Sequence, residues 1–132
     1  MNGSSNQDLA GVFHKDTQDF FKRKRVLVTG GGGFIGSHVV EQVIALGAHV
    51  IVPTRSGISD FLRPVEKEIE IKICDLTNIK QTRTAFENID IILHLAADVG
   101  GLYKNLDNNI KMFSNNIKIN EKQKYFFEKV EL

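Results

Sequence analysis

The sequence predicts an α/β protein with a doubly wound parallel sheet in strand order 3-2-1-4, and three observations carry that expectation. Apolar runs at residues 26–28, 49–52, 69–74 and 89–95 alternate with stretches of helical periodicity, and right-handed crossovers turn such alternation into a parallel sheet. The first run, Val26-Leu27-Val28, is apolar throughout, as a strand covered on both faces must be. It leads directly into Thr29-Gly30-Gly31-Gly32-Gly33-Phe34-Ile35-Gly36, a glycine turn followed by an amphipathic helix.

Residues 1–24 read as a polar lead-in, within which Asp16 to Lys24 suits a short helix setting Phe20 or Phe21 against the sheet edge. The cluster Lys22-Arg23-Lys24-Arg25 is the solvated entry to a buried strand rather than a nucleic-acid patch or localisation signal. Residues 25–132 form the domain. Helix one carries Ile35, Val39, Val40, Val43 and Ile44 at helical spacing and runs to Leu46, closed by Gly47. Strand two spans His49 to Val52. Pro53 to Glu68, with Pro53, Gly57, Pro64 and mixed charge, is expected to be loop with at most a short helical piece, the place where conformation varies most. Strand three, Ile69 to Cys74, alternates isoleucine with Glu70 and Lys72 and so belongs at a sheet edge. A helix follows through about Phe86, with Thr77 or Asn78 as N-cap. Strand four is Ile89 to Leu95. Leu102, Leu106, Ile110, Phe113 and Ile117 then form the stripe of a helix lying on the sheet.

The glycine turn is built for an anion. Glycine accepts positive φ and lets backbone approach a pyrophosphate that a Cβ would push away. The helix behind it aims unpaired N–H groups and the positive end of its dipole at the same place. A G-x-G-x-x-G match such as Gly31, Gly33 and Gly36 is weak alone, but here it lies between a β-branched strand and an amphipathic helix, the context the chemistry requires.

Thr29-Gly30-x-x-Gly33-Phe34-Ile35-Gly36 resembles the fingerprint of the extended short-chain dehydrogenases/reductases, the NAD-dependent epimerase/dehydratase family, which consists largely of nucleotide-sugar epimerases, dehydratases and reductases. Ile91-Ile92-Leu93-His94-Leu95-Ala96-Ala97 looks like the family's fourth strand. Asp98-Val99-Gly100-Gly101-Leu102-Tyr103-Lys104-Asn105, with Asn116 beyond it, is similar to the GDP-sugar branch that includes GDP-L-fucose synthase and GDP-mannose 3,5-epimerase. The resemblance covers roughly residues 20 to 120. It implies a Rossmann-type domain binding NAD(P) through Gly30, Gly33, Phe34, Ile35 and Gly36, with Asp75 and Leu76 at the adenine and Leu95, Ala96, Ala97 and Asn116 beside the cofactor. Asp75 also reads simply as the start of the following helix.

In such a fold an acid at the tip of strand two bonds the ribose 2′-OH, while an arginine accepts a 2′-phosphate. The tip here is Val52-Pro53-Thr54-Arg55-Ser56, with no carboxylate before Asp60. Thr54 and Arg55 therefore favour NADP, with a solvated loop arginine and NAD as the open alternative.

The family's chemistry requires a tyrosine that exchanges a proton with the sugar and a lysine four residues later. Tyr125 and Lys129 have that spacing but follow Asn116 and Asn120 with no fifth strand between, so no catalytic residue is assigned. The chain is expected to be the cofactor-binding part of an incomplete Rossmann-type enzyme, inactive alone, meeting a nucleotide-sugar only in a complete protein. A non-catalytic dinucleotide-binding module working with a partner chain is the alternative.

At 132 residues and 42% hydrophobic, the sequence suffices for one core. With 17 basic against 16 acidic side chains, the net charge of +1 creates no field favouring nucleic acid or an anionic membrane. No apolar run approaches the roughly 20 residues of a membrane span. A cytoplasmic protein is expected, with homo-oligomerisation open through an apolar strand-four edge. Cys74 reads as a core thiol, and His14, His38, His49 and His94 share no metal-ligand spacing, so no metal is expected.

Overall fold

A computed structural model describes residues 11–96 and 114–121. In chain order these form α1 (Lys15–Phe21), β1 (Arg25–Thr29), α2 (Phe34–Ala45), β2 (His49–Thr54), a 3-10 segment (Asp60–Glu68), β3 (Ile69–Ile73), α3 (Ile79–Ala85), β4 (Ile91–His94) and a helix, α4, over residues 114–121. The four strands make one parallel sheet in the order β3-β2-β1-β4, as the alternation of elements predicts.

Strand alternation divides the core. Val26, Val28, Val50 and Val52 point to one face, where α2 supplies Val40 and Val43 and the 3-10 segment supplies Leu62 and Val65. Leu27 and Ile51 project from the other face and are as fully shut from solvent. Burying each such side chain stabilises the fold by about 1.5–3 kcal/mol, so these two central strands form the rigid base of everything at their carboxyl ends. Edge strand β3 is half-exposed, with Ile73 67% accessible.

Several boundaries differ from the sequence reading. Residues 60–68 are one continuous 3-10 helix rather than loop, because Leu62 and Val65 gain burial against α2 that outweighs Pro64. β2 runs through Pro53 to Thr54. Its register with β1 ends at Leu27↔Ile51, whereas Thr54 O accepts a hydrogen bond from Cys74 N on the β3 side. Backbone groups alternate sides along a strand, so the N–H that Pro53 lacks would face β1 where no partner residue remains. β4 is shorter than expected, Ile91–His94. In α2, Ile35 was expected in the apolar face but is 69% exposed, since it lies in the first turn, beyond the strand tips. α4 buries Ile119 and leaves Ile117 exposed, the reverse of the expected stripe; two helical positions apart means opposite faces, and Ile119 is the one that meets Cys74, Leu76 and Ala85. The remaining stripe residues, 102–113, lie outside the described residues.

The lead-in helix α1 packs Phe21 on the core cluster and leaves Phe20 exposed. Arg25 is tied to the far end of the sheet, its backbone N–H donating to Asp90 Oδ2 (2.8 Å) and its Nε to Asn88 O (2.9 Å).

Candidate functional site

A cavity of about 390 Å³ opens at the carboxyl ends of the parallel strands, between the turn after β1 and the residues after β2, β3 and β4. Its floor is the glycine turn after β1. Gly30 needs its φ of +71°, and a Cβ there would lie 2.8 Å from Ala96 N and Leu95 C, so only glycine lets the β4 loop close over the turn. Gly36 is glycine for a related reason, since a Cβ would strike the Gly30 carbonyl.

Gly33 differs. Its φ and ψ of −82° and 177° suit any residue, and a Cβ would meet only Gly30 O, at 3.4 Å. Among the described residues nothing requires glycine there, yet Gly33 lines the cavity and stands as the N-cap of α2 with no side-chain cap. The first-turn N–H groups at Phe34, Ile35 and Gly36 therefore await an external acceptor. An open Cβ position in front of uncapped helix donors fits a pyrophosphate, and with it a dinucleotide.

The sequence-predicted residues fall around this floor. Thr54 and Arg55 at the end of β2, Asp75 and Leu76 after β3, and Leu95 and Ala96 after β4 all line the cavity. Phe34, Ile35 and Gly36 follow the lining residue Gly33 in the chain but are not among the lining residues themselves, and Ala97 lies outside the described residues. Asn116 is half-buried in α4, but the lining residues of that helix are Asn115 and Ile119. Tyr125 and Lys129 lie outside the described residues. Among the described residues no three His, Cys, Asp or Glu side chains gather as a metal site, and no helix is long and apolar enough to cross a membrane.

Second contacts hold these walls. Thr29, fully buried, accepts hydrogen bonds from Leu95 N and Ala96 N (both 3.2 Å) and contacts His94 Nδ1 at 2.6 Å, while His94 Nε2 lies 2.9 Å from Asn120 Oδ1. With two backbone donors already on the Thr29 oxygen, one arrangement satisfies every atom. The threonine O–H donates to Nδ1, and Nε2–H donates to Asn120. His94 thus links β1, β4 and α4 under the cavity. After β3, Asp75 N donates to Gln81 Oε1 (2.7 Å), and Asp75 Oδ1 accepts from Thr77 N (2.9 Å) and Thr77 Oγ1 (2.7 Å). Asn78, one of the two expected caps, accepts from Lys80 N and Gln81 N and so starts α3 there. Asp75 accordingly sits in an Asx turn before the helix rather than in its first turn. Cys74 is buried behind this turn, and burial pushes its thiol above the usual range.

Two contacts unforeseen in the sequence bind the remaining wall. Thr54 Oγ1 accepts from Gly57 N (3.0 Å), which shapes the Arg55–Ser56 turn, and Ser59 Oγ donates to Gly32 O (2.8 Å). Phe61 meets Phe34 edge to face, ring centroids 5.9 Å apart, on the outer side of the cradle. Arg55 itself is exposed at the rim.

Comparison with known proteins agrees with this geometry. The model of the NAD dependent epimerase/dehydratase family matches residues 26–122. The chain is 31% identical over 107 residues to a GDP-L-fucose synthase of Dictyostelium discoideum, covering 75% of this chain and 28% of that protein. It is 38% identical over 104 residues to a UDP-glucose 4-epimerase of the same organism, covering 70% and 29%. Among solved structures, a short chain dehydrogenase of Leptospira borgpetersenii with bound NAD+ superimposes with a TM-score of 0.64 at 26% identity, covering 89% of this chain and 48% of that one. The chain thus spans under a third of the length of these two curated relatives. With the order 3-2-1-4, the glycine cradle after β1 and a matching model over most of its length, this chain belongs to the NAD dependent epimerase/dehydratase family.

Proposed function

We propose that the chain is the NADP(H)-binding part of a nucleotide-sugar epimerase, dehydratase or reductase acting on a GDP-sugar. The observation that carries the binding is Gly33, an unconstrained glycine in front of uncapped α2 donors. The preference for NADP rests on Arg55 at the cavity rim, with Thr54 shaping the turn that bears it and no carboxylate at the tip of β2. The GDP-sugar is supported by the likeness to GDP-L-fucose synthase and by the sequence run Asp98 to Asn105.

A bound dinucleotide supplies hydride chemistry to the sugar. The residues of this chain hold and orient it. The α2 N–H groups take the pyrophosphate, Arg55 the 2′-phosphate, and Asp75 with Leu76 the adenine. The Thr29–His94–Asn120 chain keeps Leu95 and Ala96 at the floor, where the β4 loop approaches the cofactor.

Calorimetry with NADPH and NADH tests the cofactor. NADPH oxidation with GDP-4-keto-6-deoxymannose, beside epimerisation of UDP-sugars, tests the substrate in the protein that carries these residues. Tighter NADPH binding and turnover of GDP-sugars alone are expected; preference for NADH, or turnover confined to UDP-sugars, overturns the corresponding assignment.

A further inference from the structure

Residues 55–59 leave the end of β2 as a turn that would be expected to wander. Gly57 has φ +94°, and a Cβ there would meet no atom within 4 Å, so the tip is open at Gly57, while the next residue, Ile58, packs on the core cluster. At one end Thr54 Oγ1 accepts from Gly57 N. At the other, Ser59 reaches 27 residues back along the sequence, its hydroxyl donating to Gly32 O at 2.8 Å. The same Gly32–Gly33 peptide donates its N–H to Gly30 O at 3.1 Å. One peptide plane of the phosphate cradle is therefore fixed on one side by the cradle and on the other by the loop that bears Arg55. Ser59 is firmly seated for this task. Its carbonyl accepts from Leu62 N, the Leu62 side chain is fully buried, and the Phe34–Phe61 contact ties the same segment to the start of α2.

Arginine has a long side chain with considerable rotamer entropy, so a 2′-phosphate contact gains most when the backbone carrying the arginine is already placed. The span from cradle to Arg55 must match the span from pyrophosphate to ribose 2′-phosphate in a single ligand. The Ser59 hydroxyl is the polar side-chain contact that joins these two subsites directly.

We propose that Ser59 is a positioning residue for cofactor preference: by tying the Arg55 loop to the glycine turn, its hydroxyl sets the discrimination in favour of a 2′-phosphate. The inference rests on the reading of Arg55 given above. The φ and ψ of Ser59, −84° and 161°, are extended and accept β-branched residues, so Ser59→Thr and Ser59→Val form a near-isosteric pair differing in the hydroxyl.

Calorimetry with adenosine 2′,5′-bisphosphate and with 5′-AMP, which differ in the 2′-phosphate alone, gives the ratio of the two affinities. In wild type the ratio should favour the bisphosphate, and Arg55→Ala should bring it close to one. Ser59→Val should lower the ratio about three- to tenfold, the loss of one ordinary hydrogen bond, while leaving 5′-AMP affinity within about twofold. Ser59→Thr should restore it. Should Ser59→Val not fold, Ser59→Ala gives the same comparison without added bulk. An unchanged ratio in Ser59→Val, or equal loss for both ligands, overturns the role of Ser59 and leaves that of Arg55 standing. A wild type without preference for the bisphosphate removes both.

Discussion

Replacing Gly33 by valine separates ligand binding from folding more cleanly than any other change in the cradle. At Gly30 and Gly36 a side chain collides with backbone, and Gly30 also needs a positive φ, so variants there test the fold. At Gly33 the new Cβ meets only Gly30 O, at 3.4 Å, and the extended backbone suits a β-branched residue. Valine is a poorer N-cap than glycine, which costs up to about 1 kcal/mol, but it also restricts the unfolded chain, which returns about 0.4–1 kcal/mol. The net effect on stability should be small. For the ligand the change is severe, because the added methyls occupy the space in front of the α2 N–H groups. A pyrophosphate pushed off two of these donors forfeits charge-assisted hydrogen bonds of about 1.5–3 kcal/mol each, or at least a hundredfold in affinity, roughly. Thermal denaturation should show a midpoint within a few degrees of wild type, and calorimetry with NADPH should show weakened or no binding. Unchanged affinity in the folded variant would refute the cradle; collapse of the fold would refute the claim that Gly33 is glycine for the ligand.

Arg55→Ala should weaken NADPH binding about ten- to a hundredfold while sparing NADH, and equal loss for both would sink the 2′-phosphate assignment. Gln81→Met keeps the reach of the side chain but removes the acceptor for Asp75 N. Affinity for 5′-AMP should fall about two- to tenfold with nicotinamide mononucleotide unaffected, and Gln81→Glu should retain binding; a Gln81→Met variant with full 5′-AMP affinity shows that the Asx turn holds itself. Burial raises the Cys74 thiol, so the folded state favours its neutral form. That contribution is complete below the ordinary thiol value of about 8.5 and is lost as pH climbs through the raised value. Urea midpoints should accordingly decline at alkaline pH in wild type, and Cys74→Ala should flatten the decline; identical slopes would contradict the burial effect.

The sequence alone determined the edge position of β3 and the glycine turn, because each follows from a few consecutive residues, and the strand order, because strands and helices alternate along the chain and the crossovers are right-handed. Alternation along Ile69 to Ile73 marks an edge wherever the strand lies, and a glycine run between strand and helix offers the same backbone donors in any Rossmann-type sheet. The family was legible for the same reason. Packing decided what the sequence reading could not. Residues 60–68 became helical only because Leu62 and Val65 found α2 to cover, and the phase of α4 was set by which isoleucine met Cys74 and Ala85. That phase also brought Asn115 rather than Asn116 to the cavity. The Ser59–Gly32 and Thr29–His94–Asn120 contacts join residues 26 to 65 positions apart. Serine, threonine and asparagine bond wherever a partner is within reach, so their roles carry no local pattern; only the crossovers that bring β1, β4 and the turn after β2 to one edge assign them.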